Sequence, residues 1–310
     1  MDTFKSCCMC SGLFLRSDGK LTCWCNEGYY KVLADATETH VGDFITSPEL
    51  KRIRNFFKKG RYPHEICIRC IARLSDEQAD IETSGIMLHV EPTNNCNLMC
   101  DSCLSTVERQ MPQVSPRKML SPVVFEKAVR ELKEKDIKIA FTSFCGYGEP
   151  VLNASLPDMV RIFRKYYPDV YAYLDTNGSL PVKLATPLAN CGLNLINLGI
   201  DGSDQASYEQ YRKNGNYVKC IEFLTELVNT RNRTKSLTKI RWKYILFAHN
   251  DSDECIKRAI RKAEEIGSDI VFHMTCSGNK SCRTSNELAK TIGGKEKIEF
   301  YLDKAFLEKL

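Results

Sequence analysis

The chain has 310 residues, 43% of them hydrophobic, and 44 Lys plus Arg against 39 Asp plus Glu leave a formal charge of +5. That length can bury one large core and a small satellite. So modest a charge excess, with no aromatic-interleaved basic run, argues against nucleic acid as a partner, and no apolar stretch approaches the ~18 residues of a membrane span.

Sixteen cysteines are the compositional outlier. The start, Met1-Asp2-Thr3-Phe4-Lys5-Ser6-Cys7, lacks an apolar h-region, so no signal peptide is expected. A reducing cytoplasmic setting follows, with the thiols serving metals rather than disulfides.

In chain order, Cys7, Cys8 and Cys10 precede a β-hairpin over Ser11–Cys23, whose tight turn is Asp18-Gly19. Cys25 follows, then a helical pattern over Pro48–Lys59 whose basic residues form a solvated face, then Cys67-Ile68-Arg69-Cys70. A polar, acidic linker, Ile71–Ser84, leads to an apolar strand ending at Leu88-His89-Val90. Glu91-Pro92-Thr93-Asn94-Asn95 comes next, and then Cys96, Cys100 and Cys103 in C-x-x-x-C-x-x-C spacing.

Beyond the cysteines, helical and strand patterns alternate. A helix over Ser121–Lys135 starts at Ser121-Pro122, and a strand over Ile137–Phe144 ends in Cys145-Gly146-Tyr147-Gly148-Glu149-Pro150. Helices are expected over Leu156–Tyr167, Pro181–Cys191, Tyr208–Asn232 and Ser252–Ile266. Strands are expected over Val170–Leu174, ending in Asp175-Thr176-Asn177-Gly178, and over Leu193–Ile200, ending in Asp201-Gly202. Two more span Thr238–Phe247, with Asn250 just past it, and Ile270–Thr275, ending at Cys276. The tail after Gly293-Gly294 has helical apolar spacing at Ile298, Tyr301, Leu302, Ala305 and Phe306. Such alternation predicts an α/β fold with a parallel sheet of six βα units, and ligands at the C-terminal ends of its strands.

The chemistry concentrates there. Three thiolates this close can hold three corners of a four-iron cluster and leave the fourth iron open to a substrate group. A zinc knuckle or redox thiols would use the same residues. In the Gly146–Glu149 turn, glycines allow close backbone approach, and carbonyls with a carboxylate can accept hydrogen bonds from an ammonium.

Glu91-Pro92-Thr93, the cysteine spacing and the Gly-x-Gly-Glu-Pro turn one βα unit later closely resemble the radical S-adenosylmethionine (SAM) superfamily. The resemblance implies a partial (β/α)6 TIM-like barrel over residues 85–276, with a [4Fe-4S] cluster on Cys96, Cys100 and Cys103. It implies SAM bound at the open iron, with Gly146, Tyr147, Gly148, Glu149, Asp175, Asn177, Asp201 and Asn250 as cofactor-binding residues. Two departures stand out: Gly199 where many members have Ser, and Ser102 where a bulky residue usually lies near the adenine.

The order cysteine, Asp-Gly hairpin, cysteine, short helix and C-x-x-C resembles the SPASM/twitch module, here preceding the barrel rather than following it. Over residues 1–84 it implies a second, auxiliary [4Fe-4S] cluster on Cys10, Cys25, Cys67 and Cys70, with Cys7, Cys8 and Cys23 as substitutes; four thiolates would equally satisfy structural zinc. Residues 277–310 would be a C-terminal helical extension.

The implied chemistry is reductive cleavage of SAM, giving a 5′-deoxyadenosyl radical that removes a hydrogen atom from a small polar substrate of sugar or cyclitol type. A reductant such as flavodoxin or ferredoxin would supply the electron. Loss of an electron to the auxiliary cluster would oxidise an alcohol; hydrogen return from a catalytic thiol, with Cys276 the candidate, would epimerise the centre. Alternatives are a peptide-modifying maturase and a non-catalytic iron–sulfur or zinc-binding partner protein. His89, His249 and His273 read as core or rim histidines.

Overall fold

The computed structural model describes residues 12–23, 31–59, 61–62, 64–65, 67, 85–101, 103, 118–275 and 279–300. Cys7, Cys8, Cys10, Cys25, Cys70, Ser102 and Cys276 lie outside them. The architecture is the mixed α/β one expected, and it divides into two compact units: Met1–Asn95 with Ser115–Ala172, and Cys96–Val114 with Tyr173–Leu310.

In the first unit, β1 (Gly12–Leu15) and β2 (Lys20–Thr22) form the expected hairpin. Gly19 takes the turn at φ +81°, a conformation glycine adopts without a steric penalty. The strand order is β3 (Val32–Asp35), β2, β1, β4 (Ile86–Val90), β5 (Ile139–Phe144). β1 pairs parallel with β4, from Gly12 opposite Met87 to Leu15 opposite Val90. A boundary at residue 84 therefore separates strands that share one ladder.

β3 and the short helix α1 (Val41–Thr46) were not legible in the sequence. After α2 (Pro48–Lys58) and β4 comes α3 (Pro122–Glu134), whose N-cap Ser121 accepts from Val123 N. α3 buries Phe125, Ala128, Val129 and Leu132, and Phe125 meets Phe144 at 5.9 Å between ring centroids. Phe144 in turn meets Phe163 of α4 (Leu156–Tyr166) edge-on at 6.3 Å. α1 packs on α3 so closely that a Cβ at Gly42 would collide with the Glu131 carbonyl.

In the second unit β6 (Tyr171–Thr176), β7 (Leu195–Gly199), β8 (Lys239–Leu246), β9 (Asp269–Met274) and β10 (Ile298–Phe300) lie side by side, each parallel to its neighbour. A 3₁₀ turn, Val182–Leu184, and α5 (Ala185–Ala189) occupy the expected Pro181–Cys191 helix. The helix expected over Tyr208–Asn232 is two helices, α6 (Gln205–Tyr208) and α7 (Tyr217–Thr234). Gly215 separates them, packed against the Tyr208 ring, and Asn216 caps α7 by accepting from Lys219 N at 3.0 Å.

α8 (Asp253–Ile266) ends at Gly267 in the left-handed region, φ +79°. The tail departs from expectation. α9 (Ser285–Ile292) closes with Gly293, and the helical spacing from Ile298 begins instead as β10, with Ile298 opposite Phe272. Extended pairing with β9 satisfies its backbone, which local apolar spacing could not reveal. Among the described residues no helix is long and apolar enough to cross a membrane.

Candidate functional site

In the first unit the chain leaves β4 through Glu91, which is fully buried. Its Oε2 accepts from Ser17 N (3.0 Å) and Ser17 Oγ (2.7 Å), and its Oε1 accepts from Tyr147 N (2.9 Å). One carboxylate thus ties the β1–β2 turn to the glycine-rich turn after β5. Gly146 and Gly148 owe their identity to this packing. A Cβ at Gly146 would lie 2.5 Å from Glu91 Cγ, and one at Gly148 would strike the Thr93 carbonyl and lie 2.5 Å from that of Asn95. Glu149 donates its N–H to Asn95 O at 2.6 Å and caps the next turn, accepting from Val151 N at 3.1 Å. The motif is built as a tight corner held from within the protein.

In the second unit the cysteine loop is clamped onto the segment after α6. Met99 N donates to Lys213 O (3.0 Å) and Asp101 N to Tyr211 O (3.1 Å). Asn97 Nδ2 donates to Ser179 O at 2.7 Å, while Leu98 and Cys100 are buried. Asn177, just past β6, donates to Asn97 Oδ1 (2.9 Å) and reaches Cys96 Sγ at 3.9 Å. Arg212 Nη1 lies 3.7 Å from Cys100 Sγ. Burial pushes the Cys100 thiol up to about 11, and the Arg212 charge acts against that.

Arg212 is held by Asp201 at the end of β7, Nε to Oδ2 at 2.6 Å. Asp201 and Asn250 are both fully buried. Asp201 Oδ1 accepts from Ile245 N (2.6 Å); Asn250 Nδ2 donates to Asp201 O and Ile245 O, each at 3.0 Å. Asn250 Oδ1 accepts from Phe247 N (2.7 Å), and its carbonyl accepts from Tyr244 Oη (2.8 Å). Both residues are among the expected cofactor-binding ones; these hydrogen bonds fix the ends of β7 and β8, and Asp201 seats Arg212. Arg212 was not among the expected site residues, and the signal that could have found it is its place in the Tyr211-Arg212 pair shortly after Asp201-Gly202.

One face of this unit's sheet carries charge. Strand alternation turns Ile240, Trp242 and Tyr244 to the apolar side, where α7 packs on β8, and Arg241 and Lys243 to the other. There Lys243 lies 3.5 Å from Asp175 on β6. Arg241 donates to Asn197 Oδ1 and to Glu299 Oε1, each at 2.8 Å, and Glu299 also meets His273 Nε2 at 3.1 Å. Burial pushes His273 down to about 3, with Lys243 and Arg241 acting the same way. A parallel sheet is ordinarily apolar on both faces, and this paired row departs from that pattern.

Among the described residues no three His, Cys, Asp or Glu side chains are gathered tightly enough for a single metal ion. The donor set of the loop suits a larger, cationic iron–sulfur core: three thiols, with an amide aimed at one and a guanidinium at another to offset thiolate charge. Of the expected auxiliary ligands only Cys67 is described, half-buried with its N–H donating to His64 O at 3.0 Å; Cys10, Cys25 and Cys70 lie outside the described residues, as does Cys276.

The sequence profile of the Radical SAM superfamily matches residues 90–280. Curated relatives include the GTP 3′,8-cyclase of Chlorobaculum tepidum, 27% identical over 157 residues that make 49% of this chain and 44% of that one. A probable GTP 3′,8-cyclase of Archaeoglobus fulgidus is 28% identical over 149 residues, 48% and 45% of the two chains. The match thus spans less than half the length of either relative. Among solved structures, a radical SAM methyltransferase from Sphaerobacter thermophilus superposes with TM-score 0.53 at 14% identity, covering 69% of this chain and 66% of that one. Streptococcus suis SuiB bound to S-adenosylmethionine gives 0.50 at 16% identity, covering 97% and 70%. These likenesses show the fold and are consistent with the partial (β/α)6 barrel expected. With well over half of its length matched by the superfamily profile, and with the cysteine loop and glycine-rich corner in place, the chain belongs to the radical SAM superfamily.

Proposed function

We propose that Cys96, Cys100 and Cys103 hold a [4Fe-4S] cluster with one iron left open to SAM, and that the enzyme removes a hydrogen atom from a small polar, carbohydrate-like substrate. The observation that carries this is the pair of donors, Asn177 and Arg212, aimed at Cys96 and Cys100 on a loop clamped at its backbone. Bound and reduced, the cluster with SAM supplies the radical that attacks an unactivated C–H bond; the protein supplies orientation and excludes water. Asn177 orients the first thiolate and is itself held by Asn97 Oδ1. Arg212 offsets negative charge at the second. The Gly146–Glu149 corner takes the ammonium-binding role that its motif implies.

The charged row Asp175, Asn197, Arg241, Lys243, His273 and Glu299 supports a polar substrate, because it offers fixed donors and acceptors with no net charge of its own. A second reading, a nucleotide carrying its own ribose, is favoured by the GTP 3′,8-cyclase names of the relatives. Alcohol oxidation would call on an auxiliary cluster at Cys10, Cys25, Cys67 and Cys70, and epimerisation on Cys276 as hydrogen donor.

The test is anaerobic reconstitution with iron and sulfide. SAM and dithionite should then yield 5′-deoxyadenosine, and Cys100→Ala should abolish it. An iron-loaded protein that leaves SAM intact sinks the enzymatic reading. Deuterium passing into 5′-deoxyadenosine from labelled sugars, and not from labelled GTP, separates the two substrate classes. Cys276→Ala should stop turnover of an epimerase while SAM cleavage continues.

A further inference from the structure

We propose that Gly199 is a clearance built into β7 that lets Arg212 stand over Cys100, and that the guanidinium raises the reduction potential of a cluster held there. This rests on the reading that the three-cysteine loop carries a [4Fe-4S] cluster.

Gly199 ends its strand on the face that carries Lys243, its ladder partner. A side chain at that position would enter the space of Arg212: a Cβ built there collides with Nη2 and lies 3.3 Å from Cζ. An arginine tip can ordinarily swing away, but this one is fixed on several sides. Asp201 takes its Nε at 2.6 Å, and Asp201 is itself immobilised by the Ile245 N–H at 2.6 Å. Nη1 points at Cys100 Sγ at 3.7 Å, and the Tyr211 ring lies 5.3 Å from Cζ. Even an alanine at 199 must therefore pull the guanidinium off the carboxylate or away from the sulfur.

The consequence is electrostatic. A cation that hydrogen-bonds a cluster thiolate stabilises the more negative, reduced cluster more than the oxidised one, and hydrogen bonds to the sulfurs are among the levers that set cluster potentials. Gly199 and Arg212 are then one device, the absence of a side chain being what gives the cation its place. Gly199 is a positioning residue, acting only through Arg212.

The experiment is an EPR-monitored redox titration of reconstituted holoenzyme without SAM, on wild type, Arg212→Gln, Arg212→Lys, Gly199→Ala and the Gly199→Ala/Arg212→Gln double variant. Iron per chain is measured on each. Arg212→Gln should lower the reduced-to-oxidised ratio at fixed solution potential on the order of tenfold, about 59 mV for one electron. Arg212→Lys should restore part of it, Gly199→Ala should move the potential the same way, and Gly199→Ala should add nothing in the Arg212→Gln background. An unchanged potential in Arg212→Gln overturns the proposal, as does a Gly199→Ala shift of equal size in both backgrounds. Should Gly199→Ala not fold, the two Arg212 variants decide the tuning by themselves. A wild-type chain that assembles no [4Fe-4S] cluster removes the parent reading and this inference with it; an intact cluster with an unmoved potential removes this inference alone.

Discussion

Asn250 bridges two carbonyls and one amide at the junction of two strand ends, with no atom exposed to solvent. Asn250→Ala strands those groups in a buried site, so unfolding free energy should fall by about 3 kcal/mol, as leaving buried partners unmatched costs ~1–3 kcal/mol each before relaxation. Urea titration of the reconstituted protein measures it, and an unchanged midpoint would contradict the structure. His89 and His273 both make stability fall as pH falls, and His89 shows how. It is buried beside Phe14 and Phe141, with Nδ1 2.6 Å from Ser143 Oγ, and burial pushes it down to about 3. The unfolded chain takes up that proton first, near its ordinary 6.5, so the contribution is intact above 6.5 and is lost as pH falls toward 3. By pH 5 the loss is about 2 kcal/mol. His89→Gln should remove about half of this limb between pH 7 and 5, because His273, pushed down to about 3 in the same way, keeps its own share; equal slopes in the two proteins would refute it. At this scale the sequence marked Asp201 and Asn250 as important without revealing how. Their partners are backbone groups of neighbouring strands, which no spacing rule brings together.

At the scale of elements, the Gly146–Glu149 corner was legible as a motif because a strand pattern ran directly into it. The reason for its glycines was not, since it lies in the side chain of Glu91 more than fifty positions earlier. Gly146→Ala should destabilise the first unit by about 2 kcal/mol through overpacking against Glu91, read from the thermal midpoint. Glu91→Gln should produce a smaller loss, since it keeps the shape but cannot accept at both oxygens. The helices with clear caps were located from sequence: Ser121-Pro122 begins α3, and Ser252 begins α8. β3, α1 and β10 were not, because each is short and stabilised by what it packs or pairs with rather than by its own composition.

For the molecule as a whole, the hairpin β1–β2 extends the ladder of β4, so removing residues 12–23 should expose the β4 edge, where Leu88 and Val90 are now buried, and lower solubility sharply. A truncated chain that stays soluble with an unchanged far-UV spectrum would show the hairpin to be dispensable. Iron content gives a second global test: Cys100→Ala should lose one cluster, and Cys67→Ala should lose another only if an auxiliary centre exists. The sequence by itself determined the superfamily, the α/β alternation and the three-cysteine loop, because close thiol spacing, turn chemistry and strand–helix periodicity are local properties. Only the tertiary structure decided which backbone groups of neighbouring strand ends Asp201 and Asn250 bond, that Gly199 makes room for Arg212, and that one sheet face carries a paired charge row. Those facts depend on which distant strands become neighbours, and hydrogen bonds between buried groups form only where the fold has already excluded water.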